Sequence, residues 1–182
     1  MRALEIISSV WFMELLLLGI LAICCYTDLK ERKILNTIVL PAMVLALFLQ
    51  FVQQGGAGAL FGGTGILVGI ALLFIPFALG GIGAGDVKLL GVVGAFKGAG
   101  FAFKVFLVAA IIGGIISFAL LLKEKRLRES LSNIGKALKV FLFSCFRLFN
   151  LNKLDQENIV AIPYGIAIAL GAIACLVGDW LC

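Results

Sequence analysis

The sequence predicts an all-α polytopic membrane protein: a bundle of about six transmembrane helices, one of them short, plus a basic helix lying in the interface. Three observations point there. Of 182 residues, 63% are hydrophobic, and the mean hydropathy is +1.18, well beyond a soluble domain. The residues from Ile34 to Gly85 carry no charge. Lys and Arg are gathered in short segments between apolar runs. One membrane-embedded domain, 1–182, accounts for the length.

The first span runs from about Ile6 to Thr27, with Glu14 its one interior charge. Its stretch LLLLGILAIC is similar to a lipoprotein signal ending at Cys24. Ile23, however, stands where a small residue is wanted, and Glu5 and Glu14 make the segment acidic. A retained helix is expected. DLKERKILN, Asp28 to Asn36, is a polar loop in which Asn36 can cap the next helix. The second span covers about Thr37 to Val52, with Pro41 in its first turns, where proline is tolerated. QQGGAG, Gln53 to Gly58, reads as a turn, and the third span follows from about Ala59 to Leu79. Gly65 and Gly69 within it suit close helix contact.

The apolar stretch from Asp86 to Phe96 is too short to cross. At about 1.5 Å per residue it covers roughly half of a ~30 Å hydrocarbon core. A half-length helix starting inside the membrane is expected, preceded by non-helical glycine-rich backbone. Such backbone survives at depth when it is buried in protein or lines a wet cavity. The fifth span runs from about Gly100 to Leu122, and the last from about Ile159 to Leu176. Between them, 123–158 is basic. There Lys136, Lys139, Arg147 and Asn150 oppose Phe141, Leu142, Phe146 and Phe149 at helical spacing, as in an interfacial helix; the alternative is a solvated loop with an apolar face.

The segments 28–36, 82–88 and 123–158 hold three, one and eight of the 15 Lys and Arg, leaving Arg2, Lys97 and Lys104. By the positive-inside rule these segments face the cytoplasm and both termini lie outside. The net charge of +5 therefore reports topology, and nucleic-acid binding is not expected.

Histidine is absent, which excludes Ser-His triads, His-ligated zinc proteases and haem ligation. Cys24, Cys25, Cys145, Cys175 and Cys182 form no C-x-x-C pair and read as small apolar residues. No metal or cofactor is expected. Of ten acids, Glu5, Glu31, Glu124, Glu129, Asp155 and Glu157 fall in loops or termini. Asp179 ends the last helix, and Glu14 lies near the outer end of the first span. Asp28 and Asp86 remain. Two crossings separate them, so both reach the cytoplasmic end of the bundle. Two carboxylates a few ångströms apart cannot both ionise easily, and such a pair can activate water and protonate a leaving nitrogen. Each acid also has a plainer reading: Asp28 as an interfacial residue ahead of Lys30, and Asp86 as a helix cap. A side chain at Gly83 or Gly85 would hinder a substrate backbone approaching Asp86.

These residues carry a resemblance. GGIGAGDVKLLGVVGAFKG resembles the G-x-G-D signature of the type IV prepilin leader peptidases and archaeal preflagellin peptidases, intramembrane aspartyl proteases. DLKERKILN resembles the family's first-aspartate motif, with Leu35 where proline is usual, and IPYGIAIALG its late Pro-Phe-Gly segment. The resemblance implies that Asp28 and Asp86 are the catalytic pair. It makes Gly83, Gly85 and Lys88 the candidates for shaping the site and contacting substrate. It further implies cleavage of a short basic leader from pilin-like precursors on the cytoplasmic side of the inner (plasma) membrane. The paired C-x-x-C insert of the bifunctional members is missing, which resembles the short, peptidase-only form. The competing readings are a small transporter or proton pathway using the paired acids, and a non-catalytic assembly protein of the same fold.

Overall fold

The computed structural model describes residues 2–31, 34–78, 82–123 and 164–181, with side chains over 11–31, 34–78, 82–116 and 164–179. The chain is all-helical over these residues. Its helices are α1 (Arg2–Glu31), α2 (Asn36–Ala78), α3 (Ala84–Lys123) and α4 (Tyr164–Leu181). The basic segment proposed as an interfacial helix, and Gly80 and Gly81, lie outside the described residues. Three stretches are long and apolar enough to cross a membrane: Trp11–Glu31, Asn36–Ala78 and Ala84–Ile116. The protein is therefore a membrane protein.

Expected as separate spans, residues 37–52 and 59–79 join in one helical run, because a single residue makes the break. At 43 residues α2 would be roughly 65 Å long if straight, about twice a hydrocarbon core. It is not straight. Gly55 has φ 62° and ψ −141°, outside helical values and in the half of φ space that glycine tolerates best. Beyond it the chain returns along itself. A Cβ on Gly62 would lie 3.0 Å from Leu47 Cδ2, yet the two residues would stand roughly 22 Å apart on a straight helix. α3 is interrupted in the same way at Gly98, φ 83°. A Cβ there would strike the ring of Phe61, 2.5 Å from Cε2.

The returning arm of α2 runs antiparallel to the first arm of α3, backbone against backbone. Gly65 and Gly94 touch through their main chains. On either side of them, a Cβ on Gly69 would lie 2.6 Å from the Leu90 carbonyl oxygen, and one on Gly62 3.2 Å from that of Ala95. Lipid is as apolar as leucine, so association here rests on close packing rather than on exclusion from water. Two polar groups close the break at Gly98. Gln50 Nε2 donates to the Phe96 carbonyl oxygen at 2.9 Å, answering a helix-end acceptor with no partner of its own. Lys97 Nζ pairs with Glu14 of α1 at 2.6 Å.

The core combines Met13, Leu17, Leu21 and Cys24 of α1, Val39, Ala42, Ala46 and Leu73 of α2, the first arm of α3, buried on all sides from Leu89 to Phe96, and Ile168 and Ala172 of α4. Outward the bundle shows Leu15, Val44, Phe48, Leu60, Leu67 and Ile111, as a lipid-facing surface should. α4 returns along the second arm of α3. Gly171 packs on Val105 and Ala109, and Lys104 pairs with Asp179 at 3.0 Å.

The Gly65–Gly94 contact carries a prediction. Gly65→Leu should destabilise the detergent-solubilised protein by about 3 kcal/mol, the upper range for overpacking, because the clash is with backbone. Gly63→Ala, where a Cβ meets nothing within 4 Å, should leave thermal unfolding unchanged or slightly raised.

Candidate active site

The last turn of α1, the segment before α3 and the first turn of α4 meet at one end of the bundle. α1 carries Asp28 there on its buried stripe, four residues beyond Cys24. Asp86 is in the first turn of α3. Both are buried, at 5% and 8% exposure, although each has a charged side chain. Ile34 links their surroundings, since it packs against Gly165 beside the Asp28 carboxyl and against Gly85 next to Asp86, so the structure brings the two acids to one place.

Helix-start geometry fixes Asp86. The Gly83 carbonyl oxygen accepts from the main-chain N–H of Asp86 at 3.2 Å and of Val87 at 3.4 Å, which makes Gly83 the cap residue. Asp86 is then the third helical residue rather than the cap. Its Oδ2 reaches back to accept the Gly83 N–H at 3.3 Å, the reciprocal half of a capping box. This consumes one carboxylate oxygen. The other, Oδ1, is buried and accepts no hydrogen bond among the described residues, and the same holds for Asp28 Oδ2. Buried polar atoms are nearly always satisfied, so these two oxygens stand out among the described residues.

The glycines around the acids divide by role. A Cβ on Gly83 would lie 3.3 Å from Asp86 Oδ2, so this glycine gives the carboxylate room. The space beside Gly85 is taken by Ile34, whose Cβ would stand 2.7 Å from an added Cβ. Gly85 thus lets the α1–α2 connection pack on the start of α3. Lys88 Nζ donates to Asn36 Oδ1 at 2.9 Å and ties the first turns of α2 and α3 together at the exposed rim. Asn36, expected to cap α2 through its own side chain, serves this tie instead.

The residues that motif reading does not assign are at the start of α4. A Cβ on Gly165 would be 2.8 Å from Asp28 Oδ2 and 3.0 Å from Ile34 Cδ1, and the Gly165 main chain faces the Asp28 carboxylate. Tyr164 lies within electrostatic reach of Asp86 and packs its ring on Gly113, where a Cβ would come within 2.6 Å of Cε2. The IPYG stretch signalled this turn, but nothing local told which acid each residue would meet.

Because Asp86 has both a capping oxygen and a free one, two substitutions should separate. Asp86→Asn retains an acceptor for the Gly83 N–H and should unfold within about 0.5 kcal/mol of the parent. Asp86→Ala loses it and should cost about 1 kcal/mol, read by thermal unfolding in detergent.

Residues 15–118 match the Type IV leader peptidase family. No curated protein and no solved structure gives a significant match. The matched stretch covers more than half of the chain and contains Asp28 and Asp86, the glycines before Asp86 and both main-chain breaks. The chain belongs to the type IV leader peptidase family.

Proposed function

We propose that this protein is an intramembrane aspartyl endopeptidase that removes the basic leader from pilin-like precursors at the cytoplasmic face of the plasma membrane. One observation carries the reading: Asp28 and Asp86, from different helices, are buried at the same end of the bundle, and each keeps an oxygen with no hydrogen-bond partner among the described residues.

The pair holds one proton between its two carboxyl groups. The ionised member takes a proton from water as the water oxygen attacks the scissile carbonyl carbon. The protonated member gives its proton to the carbonyl oxygen. On collapse the C–N bond breaks, the amine leaves with a proton from the pair, and a hydroxyl of the tetrahedral intermediate returns one proton to the pair as the new carboxyl group forms. Gly83 and Gly165 border the two carboxyl groups, where any larger side chain would crowd them. Lys88, held by Asn36, stands at the rim where the leader would enter.

The breaks at Gly55 and Gly98 divide the four described helices into six arms, which we read as six crossings with the first arm of α3 the short one. In that reading Lys30 and Lys88 stand at the same end of the bundle as Asp28, and the positive-inside rule makes that end cytoplasmic. A pathway for ions would need polar groups along the bundle. Between Glu14 and Asp28, α1 instead buries Leu17, Leu21 and Cys24, and beside them α3 buries Leu89, Leu90, Val92 and Val93.

In membranes containing a pilin-like precursor, Asp28→Asn and Asp86→Asn should each lower leader cleavage by at least about 100-fold while inserting normally. Normal cleavage by both variants would sink the aspartyl mechanism and return the acids to capping or ion binding.

A further inference from the structure

The ion pair between the middle of α1 and the end of the first arm of α3 lies outside the chemistry described so far. Lys97 Nζ and Glu14 Oε1 are 2.6 Å apart, with the two side chains 21% and 9% exposed. Lys97 is also 5.4 Å from the Phe101 ring centroid and immediately precedes the break at Gly98. Its partner is on the same helix as Asp28, and Lys97 itself is on the same helix as Asp86.

The spacing matters. Glu14 and Asp28 are about four turns apart on α1, roughly 21 Å along one face. Asp86 and Lys97 are about three turns apart on the first arm of α3, roughly 16 Å along one face. The two helices run antiparallel, so one pair of charges meets at one end and the two acids meet at the other. Between them both helices bury apolar residues: Leu17, Leu21 and Cys24 on α1, and Leu89, Leu90, Val92 and Val93 on α3. Apolar contacts in a bilayer are non-directional and set helix register weakly. A hydrogen-bonded ion pair is directional, and moving α1 by one residue would break it.

We propose that Glu14–Lys97 is a register pin: it fixes the slide and rotation of α1 against α3 and thereby sets the separation of Asp28 and Asp86. The inference rests on the proposed protease reading for its effect on turnover. Its effect on the separation of the acids is independent of that reading. Glu14 and Lys97 are positioning residues, distant from any substrate bond.

The informative variant removes both charges. Glu14→Gln with Lys97→Met leaves no unpaired buried charge, and neutral replacements of buried ion pairs are commonly as stable as the originals. A pair that only satisfied its own charges would be dispensable in this variant. A register pin would not. The double variant should keep its thermal unfolding temperature yet lose about tenfold or more in kcat, with KM within about twofold, since small misplacements of reacting groups are costly. Lys97→Arg and the exchanged pair, Glu14→Lys with Lys97→Glu, should recover most of the rate. In parallel, cysteines placed at positions 28 and 86 of an otherwise cysteine-free chain should be bridged by a short bifunctional thiol reagent. Adding the double neutral change should slow bridging about fivefold or more. If the parent cleaves no precursor, the protease reading falls and the bridging rate alone judges the pin. Parental kcat and bridging in the double neutral variant overturn it.

Discussion

Asp28 and Asp86 come from different helices and meet in an apolar bundle, with one oxygen of each left without a hydrogen bond. Burying an acid in such a place is costly, and burying two together is more so. The rest of the structure holds that arrangement in place. α1 delivers Asp28 on the same stripe as Leu17, Leu21 and Cys24. The start of α3 delivers Asp86 with its free oxygen turned from the cap. The first turn of α4 seals the remaining side with Gly165 against Asp28.

Elsewhere the polar groups inside the bundle answer defects in the helices. Gln50 takes the Phe96 carbonyl oxygen beside the break at Gly98, and Lys97 at the same break finds Glu14. Lys88 and Asn36 join two helix starts, and Gly83 exchanges hydrogen bonds with Asp86. In a bilayer an unsatisfied group has no water to turn to. Among the described residues the acid pair is an exception to this pattern.

Much of this was legible in the sequence because the bilayer punishes misplaced charge. The charge-free run from Ile34 to Gly85 made Asp86 conspicuous, and counting crossings put Asp28 at the same end. The glycine turn expected over 53–58 is a break at Gly55. Less legible was whatever depends on register between helices remote in sequence. Gly85 read as an approach for substrate, but the neighbour that occupies its open side is Ile34. Asp86 read as a cap, yet the cap is Gly83, because the helix begins at Ala84. Glu14 and Lys97 were each visible as charges in apolar runs. Their pairing follows from an antiparallel alignment that no local pattern encodes.

The most direct measurement of the central claim is modification of the parent protein in membranes with a hydrophobic carbodiimide, counting adducts on Asp28 and Asp86 molecule by molecule with intact-fragment mass spectrometry. If the two carboxyl groups share one proton and one small cavity, each modified molecule carries the adduct on one acid or the other, and doubly modified molecules are rare. Doubly modified molecules at the frequency expected of two independent carboxyl groups would contradict the account.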